Sequence, residues 1–245
     1  MQADAQACPA AVGAGDPIRA WDWIRAQAAE RPASPARTPR APGTAARCRA
    51  CTGPVRPGYA RCFQCELHAQ GAPGLLADTV APVAHAAKGS PLAQDLWRYK
   101  AGCPGSQPAR VHLLSLLLVF LHDHGRRVWR EAGMARPSHA CVVPSGRGRP
   151  GTHPLQTLVA PYLALPWATL RAEAGGDPWA RALDPGRFRA RQPLPGASVL
   201  LLDDTWASGA SAQSAAVALK LAGAAAVAVV VLGRHVSPAV NRLDP

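Results

Sequence analysis

The apolar positions of this chain change period as it is read, and the change divides it near residue 74. Beyond that point, solid apolar runs alternate with segments of helical spacing. Residues 198–202 (Ser-Val-Leu-Leu-Leu) are bounded by polar turns and read as a strand buried on both faces. Residues 225–232 repeat that pattern. The run between them, 208–222, has helical spacing and stops at Gly223. Upstream, 139–143 is a short β-prone run ended by Pro144, while 92–99, 111–129 and 155–162 read as helices. Strand, loop, helix and strand in this order predict an α/β fold, a parallel sheet with right-handed crossovers. The most lipophilic stretch, 111–121, holds about eleven residues where a bilayer needs about 20. It reads as a core helix, and no membrane insertion is expected.

The portion before residue 74 lacks this pattern. Residues 1–46 are rich in Ala, Pro, Arg and Gly, with four prolines between 31 and 43, and read as a disordered extension. A short amphipathic helix around 17–29, carrying Ile18, Trp21, Trp23 and Ile24, reads as a docking patch within it. Residues 47–70 form a compact Cys-rich unit, and 74–238 form the α/β domain. A hydrophobic content of 48% suffices for one buried core. The net charge of +12 comes from 24 Arg and only three Lys. Guanidinium groups pair bidentately with phosphate, so the bias suggests an anionic partner, with a solvated basic surface as the plain alternative. Residues 1–15 have neither the basic start nor the apolar run of a signal peptide, so a cytoplasmic setting is expected.

The sharpest chemical signal follows the strand at 198–202. Asp203 and Asp204 stand at its carboxyl end, where open α/β sheets bind ligands. Thr205, Trp206, Ala207, Ser208, Gly209, Ala210 and Ser211 then form a small-residue turn that opens a helix. Gly209 admits close backbone approach to an anion. The free amides of the turn and the helix N-terminus favour phosphate, and Ser208 and Ser211 add hydroxyl donors. The carboxylates can accept hydrogen bonds from ribose hydroxyls or hold Mg²⁺ through water. An ordinary helix cap and an acidic Mg²⁺ site of receiver or haloacid-dehalogenase type remain as other readings, but neither accounts for the Ser-Gly-Ala-Ser turn. The lack of Gly-Lys-Ser/Thr excludes a Walker loop.

Residues 199–211 resemble the phosphoribosyl pyrophosphate (PRPP) signature of type I phosphoribosyltransferases: four apolar residues, two acids, two variable positions and a Gly-containing hydroxyl turn. The segment departs from it at Thr205-Trp206, usually aliphatic, and at Ala207, where a hydroxyl is common. The resemblance implies that Asp203, Asp204, Thr205, Ala207, Ser208, Gly209, Ala210 and Ser211 bind PRPP.

The cysteines carry a second signal. Cys48-x₂-Cys51 and Cys62-x₂-Cys65 have the spacing of a closed, structural Zn²⁺ site of four thiolates. Two disulfides are the alternative, disfavoured in a reducing compartment. Arg47, Arg49, Arg56 and Arg61 surround the knuckles and could meet nucleic-acid phosphate or serve only solvation. Cys8, Cys103 and Cys141 have no partner at ligand spacing. The His122-Asp123-His124 triplet reads as a polar helix end, because i and i+2 point to different helix faces.

A four-cysteine unit upstream of such a domain resembles the ComF family, competence-associated predicted amidophosphoribosyltransferases. Leu96-Trp97-Arg98-Tyr99-Lys100-Ala101-Gly102 looks like that family's Lys-Tyr-Lys-Gly segment, and Val142-Val143-Pro144-Ser145 is similar to its strand-end Val-Pro loop. Residues 146–151, with Arg147 and Arg149, stand where the family has Arg-Gly-Phe-Asn, and the Phe-Asn pair is absent. The resemblance implies a phosphoribosyltransferase that uses PRPP with Mg²⁺ on an unidentified acceptor. Asp203 and Asp204 would fix the ribose, Pro144 and Ser145 would lie on the pyrophosphate side, and Arg147 and Arg149 would close over Mg²⁺–pyrophosphate. The other expected function is a non-catalytic module for DNA uptake that binds phosphoribosyl ligands or single-stranded DNA.

Overall fold

A computed structural model describes residues 17–30, 34–35, 47–101, 104–145, 151–173 and 181–236. In chain order the elements are α1 (Pro17–Glu30), β1 (Ser34–Pro35), α2 (Phe63–Gly71), β2 (Thr79–Ala87), α3 (Pro91–Arg98), α4 (Gln107–Glu131), β3 (His139–Val142), α5 (Pro154–Val159), β4 (Leu170–Ala172), β5 (Phe188–Ala190), β6 (Ser198–Trp206), α6 (Ala210–Leu221) and β7 (Ala226–Val236). The expected parallel sheet is present. Strands β2, β7, β6 and β3 lie side by side in that order, all parallel, and the two-residue β1 pairs antiparallel with the outer edge of β2.

The registers put Val142 beside Leu202, Leu202 beside Val230, and Val230 beside Ala81. The two central strands, β6 and β7, are the apolar runs at 198–202 and 225–232, extended at their carboxyl ends. Being covered on both faces, they need no polar side, which is why they lack alternation. Leu200 and Leu202 face a core built with Leu92, Leu113, Leu117 and Leu155 of α3, α4 and α5. Val199 and Leu201 face a second core with Ala212, Ala215 and Leu219 of α6, and Cys48, Cys51 and Cys65 belong to this same core. The Cys unit therefore packs on the sheet and is not a separate bead on a linker.

Strand β2 carried no clear signal, because Pro82 interrupts it and proline is confined to sheet edges. The structure shows why it is tolerated. β1 pairs only with Ala84 and His85, so the outer side of β2 has no ladder partner at Pro82 among the described residues. The three-residue strands β4 and β5, which form a separate antiparallel hairpin, are too short to show a period.

Within the extension expected to be disordered, residues 17–30 are helical and dock on α4. Arg25 binds Asp123 at 2.8 Å, and the Trp21 ring lies 4.5 Å from that of His122. The His-Asp-His triplet is thus the polar partner of this helix, not a metal site. Tertiary contact supplies what the isolated α1 sequence lacks.

Helices α3 and α4 are joined by a buried pair, His112 Nδ1 to Asp95 Oδ2 at 2.7 Å. Ser90 caps α3 by accepting from the Ala93 amide, and Pro91 begins its first turn. At the other end of α3 a short 3₁₀ turn, Tyr99–Ala101, delivers the Tyr99 and Lys100 side chains to Asp204 of the central strand β6.

Candidate active site

The expected end of the central strand at Leu202 is corrected by the structure: β6 runs on through Trp206. Asp203 and Asp204 are strand residues, with Asp203 opposite Val231 of β7. Their neighbour on the other side is β3, whose ladder ends as Val143 donates to the Leu202 carbonyl at 2.9 Å. Pro144 and Ser145 follow at once, half-buried, so the two loops foreseen for the site leave the sheet side by side. Arg147 and Arg149 lie outside the described residues, as do Cys8 and Cys103.

The two acids have different surroundings. Asp204 is buried, and its Oδ2 accepts from the Tyr99 hydroxyl at 2.5 Å and pairs with the Lys100 ammonium at 2.7 Å. Burial pushes its carboxyl up, but the Lys100 charge, with hydrogen bonds from Lys100, Tyr99 and Thr205, outweighs that and holds it below the usual carboxylate range. Asp203 is in the opposite position. Burial, and then the Asp204 charge beside it, push its carboxyl up to about 8, against the weaker pull of Lys100. Two adjacent carboxyls at one strand end thus hold one negative charge near neutrality, and a cation or hydrogen-bond donors could draw out the second.

Lys100 and Tyr99 are site residues that the sequence reading quoted but did not assign. One of only three lysines in the chain, next to a tyrosine at a helix end, was the available signal. Nothing local could reveal the contact, since the partners lie 105 residues apart for Tyr99.

Beyond the acids the chain turns. Strict alternation would place Trp206 with Leu200 and Leu202, yet it joins the core on the α6 side, so the pattern breaks within Asp203–Thr205. The fully buried indole then lies under Gly209, which takes φ +84°. A Cβ at this position would sit 2.1 Å from Trp206 Cζ2, so both conformation and space demand glycine. Trp206, a departure from the expected signature, is therefore the floor of the turn. Above it Ala207 is exposed and Ser208 half-buried, which leaves the outer side of the bend open to solvent. Ser208 Oγ accepts from the Ala210 amide at 3.3 Å, and Ser211 Oγ accepts from Arg187 at 3.0 Å. Arg187, at the foot of β5, is a second residue near the turn that the sequence did not mark.

The four cysteines meet in space. The Sγ atoms of Cys48, Cys51, Cys62 and Cys65 all lie within 4.8 Å of one another, with Cys51 and Cys62 3.8 Å apart. A tetrahedral ion with metal–sulfur bonds of about 2.3 Å requires sulfur–sulfur separations of about 3.8 Å, so the cluster fits one metal. Hydrogen bonds from Cys51, Cys62 and Cys65 hold the Cys48 thiol far below its ordinary range, and those from Cys48, Cys51 and Cys62 push Cys65 far above it. Arg234, on β7 opposite Trp206, donates to the Cys51 carbonyl at 3.0 Å and to its Sγ at 3.4 Å. A Cβ at Gly53 would lie 1.8 Å from that guanidinium. One arginine thereby fastens the Cys unit to the strand beside the acids. Cys141, by contrast, is a buried core thiol.

No protein-family model matches the chain, and neither does any curated protein. Among solved structures it is similar to the purine phosphoribosyltransferase from Pyrococcus horikoshii Ot3, with 14% identity and a TM-score of 0.32 over 51% of this chain and 87% of that one. Likeness this distant leaves the reading to the residues of the site. No described helix is long and apolar enough to cross a membrane.

Two outcomes follow from the geometry. Because the folded-state pKa of Asp203 lies above its unfolded value, its burial lowers stability progressively as pH rises from about 4 to 8. Asp203→Asn should therefore raise stability by on the order of 2 kcal/mol at pH 8 and clearly less at pH 5, measured by urea denaturation. An equal gain at both pH values would contradict the burial argument. Gly209→Ala should cost about 2–4 kcal/mol. Combined with Trp206→Leu, it should cost less than the sum of the two single changes by about 1 kcal/mol or more, since the smaller side chain removes the clash.

Proposed function

We propose that the protein is a phosphoribosyltransferase-like protein that binds PRPP, or a related phosphoribosyl ligand, with Mg²⁺ on the 203–211 segment. One observation carries this reading. A central parallel strand carries two acids near its carboxyl end, is flanked on one side by Pro144–Ser145 and is followed by a glycine-based bend, open to solvent at Ala207, that opens a 12-residue helix. Asp203 and Asp204 accept from the ribose hydroxyls. The amides of Ser208, Gly209, Ala210 and Ser211, aided by the α6 dipole, take the 5′-phosphate, with Thr205 and Ala207 shaping the bend. Pro144 and Ser145 lie on the pyrophosphate side, and Arg147 and Arg149 are assigned to close over it.

Mg²⁺, when bound with the ligand, supplies the charge that neutralises pyrophosphate. The rest of the reaction, departure of pyrophosphate from ribose C1 through a cation-like state, asks the protein for positioning and charge rather than covalent chemistry. The shared charge of Asp203 and Asp204 suits that demand. The acceptor is left open, and membership of the ComF family and a cytoplasmic setting belong to the same proposal.

A second reading is favoured by one observation on the Cys unit. Tyr59 and Phe63 are 67% and 74% exposed, and Arg49, Arg56 and Arg61 are exposed around them. Two outward aromatic rings among guanidinium groups could stack and neutralise a single strand of DNA, as a non-catalytic uptake module requires.

Calorimetry with Mg²⁺–PRPP and with ribose 5-phosphate separates the readings. Binding should be measurable and should weaken at least about tenfold in the Asp203→Asn/Asp204→Asn double variant. Unchanged affinity sinks the assignment of the acids, while salt-sensitive binding of oligothymidylate alone would establish the DNA module instead. The Cys site is assigned structural zinc, and elemental analysis should find one zinc per chain. Cys48→Ser should release it and lower stability by several kcal/mol, on the order expected when metal binding supplies folding energy. Full stability of a zinc-free protein would refute the structural role.

A further inference from the structure

The cation at the acid pair belongs to the chain itself. Lys100 Nζ stands 2.7 Å from Asp204 Oδ2, and the Tyr99 hydroxyl donates to that same oxygen. A carboxylate oxygen that takes two donors has no lone pair left for a metal ion. Thr205 bonds Asp204 as well, and the residue is 6% exposed, so this carboxylate is engaged from within the protein. Asp203 differs. It is half-buried, and its carboxyl accepts from the backbone of Thr205 and Asp204.

The charges balance without metal. The two carboxyls hold one negative charge near neutrality, and the Lys100 ammonium cancels it. Mg²⁺ demands near-ideal octahedral geometry, keeps several waters, and is bound through one or two carboxylates free to take it. Here an ammonium already stands on one of them, and it would repel a second cation brought to the same group. Of the two agents able to draw charge from Asp203, the arrangement therefore favours hydrogen-bond donors over an added cation.

The residue type suits that place. In a chain with 24 Arg and three Lys, the cation at the acids is a lysine. Guanidinium is a planar fork made for bidentate pairing, whereas an ammonium is a compact point charge with three donors, closer to a bound metal ion. The Tyr99 ring flanks it, with its centroid 5.6 Å from Nζ. With 34% of its side chain exposed, Lys100 is open to a ligand approaching from solvent.

We propose that Lys100 takes the place of a divalent cation at Asp203–Asp204, so that the acids bind the diol of a ribose phosphate without metal. The inference rests on the phosphoribosyl reading and adds to it a ligand class. That class is metal-free ribose phosphates, with Mg²⁺ required only by a ligand whose own pyrophosphate carries it. It also brings the turn after α3 into the ligand site, which the signature segment does not require.

The test uses the full chain, as wild type and as Lys100→Met. Ribose 5-phosphate binding is measured by calorimetry with and without millimolar Mg²⁺, and binding of Mn²⁺ alone by water-proton relaxation. In the wild type, Mg²⁺ should change the affinity by less than about twofold. Lys100→Met should bind about tenfold or more weakly without metal, and Mg²⁺ should restore most of the loss. It should also gain a Mn²⁺ site that adding Asp204→Asn removes. A wild type that needs Mg²⁺ to bind ribose 5-phosphate would overturn the inference and leave the phosphoribosyl site standing. So would a Lys100→Met protein that matches the wild type with and without Mg²⁺, or Mn²⁺ bound equally by both proteins or by neither. If Lys100→Met does not fold, the wild-type comparison decides alone. If the wild type binds no ribose 5-phosphate under either condition, the broader reading fails first, and the inference falls with it.

Discussion

A carboxylate buried at the end of an apolar strand has to be compensated, and the contact of Asp204 with Lys100 and Tyr99 is the compensation on which this site depends. Removing one partner of a buried charge pair costs more than removing both, because the survivor remains desolvated. The arrangement therefore fixes more than two residues. Lys100 must stand at the end of α3, so α3 must hold its angle. The buried Asp95–His112 contact with α4 serves that purpose. With Asp204 charged, Asp203 resists a second charge, and the pair is left poised to respond to a cation or to donors.

On the opposite side of the strand, the constraint is one of volume. Trp206 fills the space that a smaller residue would leave beneath the turn, and Gly209 is the only residue that fits over it. The departure from the expected signature is therefore compensated within three residues of itself. Arg234 carries a similar burden at the next strand. It sits opposite Trp206, bonds the Cys51 backbone and sulfur, and excludes any side chain at Gly53. The cysteine cluster, the indole and the acids are consequently neighbours in one contiguous piece of structure. Loss of the metal site would be felt along β7 toward the bend, through contacts only one residue deep.

Much of the architecture could be read in the chain before any coordinates. The apolar runs of β6 and β7, the helical spacing of α6 and the stop at Gly223 gave the strand–turn–helix–strand unit directly, because solid apolar runs with glycine punctuation admit few other structures. Paired CxxC knuckles likewise pointed to four thiols around a single point, with two disulfides as the alternative. The reading failed where local chemistry argued against the final state. Pro82 hid β2, and Asp203 looked like a strand end although pairing with β7 carries the strand onward to Trp206.

What the sequence determined by itself is the β6–turn–α6–β7 unit, the doubled acid, the glycine bend and the paired CxxC knuckles, since each depends on neighbours in the chain. What only the tertiary structure decided is which charges meet. Lys100 and Tyr99 reach Asp204 across the α3 crossover, Arg187 reaches Ser211 from a hairpin, and Arg234 reaches Cys51 from the last strand. Such contacts leave no period or spacing behind, because they are set by the packing of whole elements against a sheet, and electrostatic partners at that range exist only once the packing does.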